Sequence, residues 1–175
     1  ILYGKEQMLN DMDPMLYGGS MIDDVQHQFS TWAELPWKFE AGTQNIPAVI
    51  GLGAAIEFLE ELGLHNIQYH DKFLTHYALD QLDQLDFVTV FGPHENRNPV
   101  ISFAIAGIHS HDVATFFDSK NVAIRSGHHC AKLIMKKLNV PSTARASFYL
   151  YNTKHEIDQF IEAVNQAKGY FAKWI

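Results

Sequence analysis

Apolar residues recur at helical spacing in the segment that follows residue 45. They are Val49, Ile50, Leu52, Ile56, Leu59 and Leu62. Because Gly63 follows as a stop signal, the pattern predicts a helix over Ile46–Leu62. Thr43 or Asn45 is suited to cap its N-terminus. A second helix is predicted over Ile67–Leu82.

Apolar residues show little regular spacing in the segment before residue 40. Ile1–Gly4 is typical of the end of a buried strand, and a short helix is predicted over Lys5–Met12. Asp13–Lys38 has no sustained period and contains two prolines and the Gly18–Gly19 pair, so a long ordered loop is predicted. Because the chain opens on a strand-like run without methionine, we expect it to be part of a longer protein.

Short apolar runs alternate with helical segments from Phe87 onwards. The predicted strands are Phe87–Phe91, Val100–Ile105, Val122–Ile124 and Ala144–Leu150, and the predicted helices are His111–Asp118, Ala131–Leu138 and Lys154–Trp174. A turn is predicted at Gly127–His129. Strands that are separated by helices with tight connections favour a small α/β sandwich.

The composition narrows the class of protein. Hydrophobic residues make up 47% of the 175 residues and charged residues 19%, which is typical of a globular core rather than of disorder. The formal net charge of −7 and the lack of a basic run argue against a nucleic-acid partner. No apolar stretch approaches the roughly 20 residues that span a bilayer, so no membrane partner is expected. The single cysteine fits a reducing, cytoplasmic location.

Cys130 is the first candidate for chemistry. A lone cysteine is most often a small buried hydrophobic residue, and that reading stays open. Its neighbours favour another one, because Arg125–Cys130 is polar and lies between a predicted strand and a predicted helix. Amides at a helix N-terminus and the charge of Arg125 would stabilise a thiolate. We therefore predict that Cys130 is a nucleophile.

Other polar residues have both a structural and a chemical reading. His109–His111 and His128–Cys130 resemble pieces of a zinc site but lack the paired spacing of one, so no metal is predicted. Arg145 is either a surface charge on an edge strand or a clamp for a carboxylate. Gly42–Thr43 is either an ordinary helix cap or a phosphate site.

Three blocks together resemble the SufS-type (group II) cysteine desulfurases, which have the class V aminotransferase fold. The blocks are Phe39–Thr43, Arg125–Ala131 and Arg145–Thr153, and the resemblance extends along almost the whole chain. It implies an α/β fold consisting of the C-terminal small domain of a fold-type I pyridoxal-phosphate enzyme plus a tail of the large domain. The small domain would be a small antiparallel or mixed sheet covered by helices, over residues 63–175. Residues 1–62 would form the end of the large domain, a dimer-interface loop and a linking helix.

The resemblance also implies roles for single residues. Cys130 would be the catalytic residue that takes sulfur from L-cysteine as a persulfide, which leaves L-alanine. Arg145 would bind the substrate carboxylate, and Arg125 would lie beside the cysteine as a second substrate-binding residue. Thr43 would contact the phosphate of pyridoxal 5'-phosphate across the dimer. The family holds this cofactor on a lysine that follows a histidine, and no His-Lys pair occurs in the sequence. The chain alone is therefore expected to be inactive.

The resemblance further implies a cytoplasmic homodimer that passes sulfur to an acceptor protein of the SufE or SufU type for iron–sulfur cluster assembly. Two alternatives stay open at this point. One is another class V enzyme, such as a selenocysteine lyase or an aminotransferase. The other is a sulfur-carrier module without enzymatic activity, in which Cys130 would only accept sulfur.

Overall fold

The computed structural model describes residues 1–173, which form two compact units. The first unit is Ile1–Leu59 and the second begins at Glu60. Within the described residues, no helix is long and apolar enough to cross a membrane. The assignment of residues 1–62 and 63–175 to a large and a small domain stays a prediction.

The first unit contains helix α1 (Glu6–Asp11), strands β1 (Ile22–Val25) and β2 (Ser30–Trp32), a 3-10 turn at Trp37–Phe39 and helix α2 (Ile46–Leu62), which runs on into the second unit. The two strands pair antiparallel, and the Thr31 hydroxyl accepts a hydrogen bond from the Asp24 amide at 3.1 Å. Lys38 is buried, and its ammonium donates to the carbonyl oxygens of Leu9 and Asn10 at 3.2 and 2.8 Å. This contact ties the 3-10 turn to the end of α1, where unpaired carbonyls need donors.

The second unit is built on a four-stranded antiparallel sheet. Its elements are α3 (Leu64–Leu82), β3 (Val88–Phe91), β4 (Val100–Ile105), α4 (Ser110–Asp118), β5 (Arg125–Gly127), α5 (Lys132–Leu138), β6 (Thr143–Ser147) and α6 (Lys154–Phe171). The strand order is β3-β4-β6-β5, so that β6 lies between β4 and the short edge strand β5.

Buried and more exposed side chains alternate along the central strand β4, so that one face of the sheet is the core face. Ile101, Phe103 and Ile105 of β4 and Ala144 and Ala146 of β6 are buried in one core with residues of α3, α4 and α6. Phe103 and Phe160 meet edge to face with ring centroids 5.5 Å apart, a favoured aromatic geometry. Because successive strand side chains point to opposite faces, Thr143 and Arg145 project from the other face of β6.

The structure confirms the predicted α/β class and most of the predicted elements. Helix Ile46–Leu62 and strand Val100–Ile105 have the predicted bounds, and Asn45 caps α2 by accepting from the Ala48 amide at 3.2 Å. The last helix ends at Phe171, and Trp174 lies outside the described residues.

Three predictions about elements were wrong. Ile1–Gly4 is not a strand, and Ile1 is fully exposed. The predicted loop at Asp13–Lys38 contains the β1–β2 hairpin. Val122–Ile124 forms no strand, because the backbone pairing with β6 begins only at the polar residues Arg125–Gly127.

Candidate active site

Cys130 lies in a tight turn that joins β5 to α5. The Ala131 amide donates to the His128 carbonyl oxygen at 2.8 Å, and the two central residues have φ values of +54° at His129 and +59° at Cys130. Positive φ at both central positions is characteristic of a type I′ turn, which normally uses asparagine and glycine. For a residue with a side chain, this left-handed conformation raises the free energy by about 1–2 kcal/mol. The turn therefore holds Cys130 in a costly conformation.

Cys130 is an exposed free thiol, so the interpretation of this residue as a buried hydrophobic one is wrong. The Arg125 guanidinium, at the start of β5, donates from Nη2 to Sγ at 3.5 Å. A guanidinium stays protonated and so offers a fixed positive charge to a thiolate. The structure thus brings together two of the residues that the sequence singled out.

Arg145 lies directly opposite Arg125 in the antiparallel pairing of β5 and β6. The two residues therefore share one face of the sheet. Like charges directly opposite each other are unfavourable in a sheet unless an anion lies between or beside them. The Nε atom of Arg145 is buried and has no partner within the described residues. This pair of arginines is suited to bind a carboxylate.

His129 is anchored to β6, a contact that the sequence reasoning missed. Its Nε2 lies 3.0 Å from the Thr143 carbonyl oxygen and 2.9 Å from the Thr143 hydroxyl. A carbonyl oxygen can only accept, so Nε2 carries a proton in this contact. Nδ1 is buried and has no partner in the described part of the chain. Only the pairing of β5 with β6 places residues 129 and 143 together, so no local pattern could have revealed the contact.

The surroundings of the His129 ring lower its pKa and so favour its neutral form. Burial lowers its pKa from the usual 6.5, the hydrogen bond to Thr143 raises it, and the charges of Arg145, Arg125 and His128 lower it further. The net shift is downward, so at neutral pH the ring is an uncharged hydrogen-bond donor to β6.

Thr43 belongs to the first unit. It is exposed, it follows Gly42, whose φ is +73°, and it precedes α2. Because Asn45 supplies the cap of α2, the Thr43 hydroxyl is not needed for that purpose. A hydroxyl next to the N-terminus of a 17-residue helix is chemically suited to a phosphate group. This chemistry is compatible with the role that the resemblance implies for Thr43, contact with the phosphate of pyridoxal phosphate.

The side chain of His109 has structural contacts. His109 caps α4, with Nδ1 accepting from the His111 amide at 3.3 Å, and its Nε2 lies 3.4 Å from the Ser142 hydroxyl. Among the described residues, no three histidine, cysteine, aspartate or glutamate side chains come together as a metal-binding group would require.

The candidate site is an open surface of the second unit. A cavity of about 430 Å³ lies elsewhere in this unit, along α3, with Tyr69, Phe73 and Arg97 in its lining and none of the predicted site residues. The predicted site residues of this unit thus lie outside that cavity, on β5, on β6 and in the turn between β5 and α5.

Comparison with known proteins shows the family of this chain. The model of the class V aminotransferases matches residues 1–160. The chain belongs to the class V aminotransferase family. Its sequence is 52% identical over 171 residues to a probable cysteine desulfurase of Halalkalibacterium halodurans and 51% identical over 173 residues to one of Staphylococcus epidermidis. Each alignment covers 98% of this chain and 42% of the relative.

Solved structures share the fold of this class V aminotransferase chain. The crystal structure of the cysteine desulfurase CsdA (S-sulfonic acid) from Escherichia coli superposes with a TM-score of 0.89 at 35% identity, over 96% of this chain and 42% of that one. The apo structure of a cysteine desulfurase from Thermococcus onnurineus gives 0.88 at 39% identity, over 95% and 42%. These likenesses confirm the predicted fold, and the chain spans less than half the length of its relatives.

Proposed function

We propose that the full-length protein containing this chain is a SufS-type cysteine desulfurase, with Cys130 as the sulfur-accepting nucleophile. The observation that carries the proposal is the exposed Cys130 thiol on its strained turn, 3.5 Å from the Arg125 guanidinium. Relatives named cysteine desulfurases, about 50% identical over nearly the whole chain, support it.

The proposed reaction moves one sulfur atom. The Cys130 thiolate attacks the thiol sulfur of L-cysteine, and an S–S bond forms as the C–S bond of the substrate breaks. The bonding electron pair stays with the carbon fragment, which is protonated and leaves as L-alanine. Cysteine and one enzyme thiol therefore give alanine and one enzyme persulfide.

Arg125 and Arg145 have distinct tasks in this proposal. Arg125 stabilises the thiolate of Cys130, to which it donates directly. Arg145, on the same face of the sheet, takes the substrate carboxylate, for which two parallel hydrogen bonds from a guanidinium are well suited. The charge of the substrate and the charge of the nucleophile are thus each matched by one arginine.

The family implies pyridoxal phosphate, which supplies the electron sink for cleavage at the substrate's carbon–sulfur bond. Thr43 and the N-terminus of α2 would hold its phosphate, and we propose that they do so across a homodimer. The attachment lysine would be supplied from outside this sequence, since no His-Lys pair occurs here. The persulfide would pass to an acceptor protein of the SufE or SufU type in the cytoplasm, for iron–sulfur cluster assembly.

Cys130→Ser in the full-length protein tests the proposal. Serine is nearly the same size, but its hydroxyl is hardly ionised at neutral pH, so we expect alanine formation to fall by about 10³-fold or more. The amount of bound pyridoxal phosphate should not change. Mass spectrometry after addition of L-cysteine should find the extra sulfur on the Cys130 peptide of the wild type.

Two outcomes would contradict the proposal. One is alanine formation at the wild-type rate in Cys130→Ser, and the other is a persulfide on a different residue of the wild type. A structural cysteine would instead reduce the thermal stability of the variant and leave its turnover intact.

A further inference from the structure

The turn that carries Cys130 needs an external support. His129 and Cys130 both have left-handed φ values, of +54° and +59°, in positions that favour glycine. Such conformations persist only where the surrounding structure fixes them. Within the described residues, the side chains of this pair make two sets of hydrogen bonds, those of His129 to Thr143 and that of Cys130 with Arg125.

The His129 contact has the properties of a fixed anchor. Thr143 is fully buried and belongs to β6, which is paired on both sides in the sheet. The carbonyl oxygen and the hydroxyl of Thr143 both face Nε2 of the ring at 2.9–3.0 Å. The neighbouring His128 is exposed, and no comparable contact of its side chain is present in residues 1–173.

We propose that His129 is a positioning residue, which fastens the turn to β6 and thereby keeps the Cys130 sulfur beside the Arg125 guanidinium. This inference rests on the proposed function, because it assigns a task to His129 in the reactivity of the same cysteine. His129 itself does not exchange a proton with the substrate. Its ring is neutral and donates its one proton to β6.

The anchor determines where the sulfur lies. Without the bond to Thr143, the pair at 129 and 130 can relax to negative φ values, which carry no steric penalty for residues with side chains. A change of φ at two consecutive residues redirects the Cys130 side chain. The distance of 3.5 Å between Sγ and Nη2 would then no longer be maintained.

The test compares two alkylating reagents on the full-length protein without substrate. Iodoacetate is an anion and iodoacetamide is neutral, so the ratio of their rates at Cys130 reports the positive charge beside the thiolate. At pH 8, we expect His129→Leu to lower this ratio by about two- to fivefold, the range that corresponds to one exposed charge contact. Mass spectrometry of the Cys130 peptide gives both rates.

Three further variants make the result specific. His129→Gln can still donate from an amide nitrogen to Thr143, and we expect it to restore most of the ratio. Arg125→Gln gives the ratio without the arginine, toward which His129→Leu should move. His128→Leu, which removes the exposed neighbouring ring, should leave the ratio as in the wild type.

The inference is overturned if His129→Leu keeps the wild-type ratio, or if His129→Gln loses as much as His129→Leu. A folding defect would be visible as lowered melting temperature, and Thr143→Val then provides a second route to the same change from the other side of the contact. Persulfide formation by the wild type is measured separately. A low ratio in His129→Leu with no persulfide in the wild type would reject the proposed function and retain the role of His129. A wild-type ratio in His129→Leu together with a persulfide on Cys130 of the wild type would reject the role of His129 and retain the proposed function.

Discussion

At the scale of single residues, the site contains two consecutive residues with left-handed backbone conformation, His129 and Cys130. Among the described residues with positive φ that are not glycine, Asn96, Asn121, Asn139 and His129 are of types that are enriched in this region, whereas Ser20 and Cys130 are not. Strained backbone of this kind concentrates at functional sites, where the rest of the fold offsets its cost.

The strain predicts an unusual stability effect at Cys130. Cys130→Gly should unfold at a higher urea concentration than Cys130→Ser, with a difference of about 0.5–1 kcal/mol, because glycine adopts left-handed φ values without a steric penalty. Asn139→Gly, at the left-handed end of α5, is the control and should gain less. Equal stability of Cys130→Gly and Cys130→Ser would show that the turn carries no such cost.

Arg145 carries the next prediction at this scale. Arg145→Lys in the full-length protein should raise KM for L-cysteine, since an ammonium cannot make the two parallel hydrogen bonds of a guanidinium. A loss of about 1.5–3 kcal/mol for a bond to a charged group corresponds to a rise of about tenfold or more.

Arg97→Lys is the matched control for Arg145→Lys. Arg97 donates from Nη2 to the carbonyl oxygens of Phe91 and Val100 at 3.3 and 2.8 Å. Its replacement should therefore lower thermal stability and leave KM unchanged. An unchanged KM in Arg145→Lys would mean that this side chain does not contact the substrate.

At the scale of elements, α6 begins with a complete capping box. The Thr153 hydroxyl accepts from the Glu156 amide at 3.4 Å, and the Glu156 carboxylate accepts from the Thr153 amide at 2.7 Å. The bonds from the Thr153 amide and hydroxyl lower the pKa of Glu156 below its usual 4.5, against a small opposing effect of burial. This cap matters because α6 covers the core face of the sheet that carries the site.

The cap predicts a pH dependence of stability. Since the folded pKa of Glu156 is depressed, its contribution is fully present above the unfolded value near 4.5 and is lost as the pH falls through the lower folded value. Glu156→Gln should therefore be less stable than the wild type at pH 7, and the difference should shrink below pH 4.5. Urea unfolding at several pH values measures it. A constant difference across this range would exclude the charge as the cause.

At the scale of the whole chain, sequence patterns predicted the elements whose burial follows a simple period. The helix at Ile46–Leu62 and the strand at Val100–Ile105 are examples. Val122 and Ile124 misled the prediction because they pack against the core from an unpaired segment. The strand beside them consists of Arg125–Gly127, which has no apolar alternation and is defined only by pairing with β6.

The candidate site also has one part that the sequence predicts and one part that only strand pairing determines. Cys130 and its polar neighbours are visible as a motif in the sequence. The facing positions of Arg125 and Arg145 and the bond from His129 to Thr143 depend on strand register, which joins residues 14 to 20 positions apart. Local patterns do not encode such distances.

The sequence of β6 also protects the site against a shift in strand register. Site residues and core residues alternate along this strand, with Thr143 and Arg145 on one face and the buried Ala144 and Ala146 on the other. A slip by one residue would exchange the faces and drive a guanidinium into an apolar core. Burial of an unpaired charge is among the most expensive changes a protein can undergo. The apolar face of β6 therefore disfavours the one-residue shift in register that would take Arg145 out of the site.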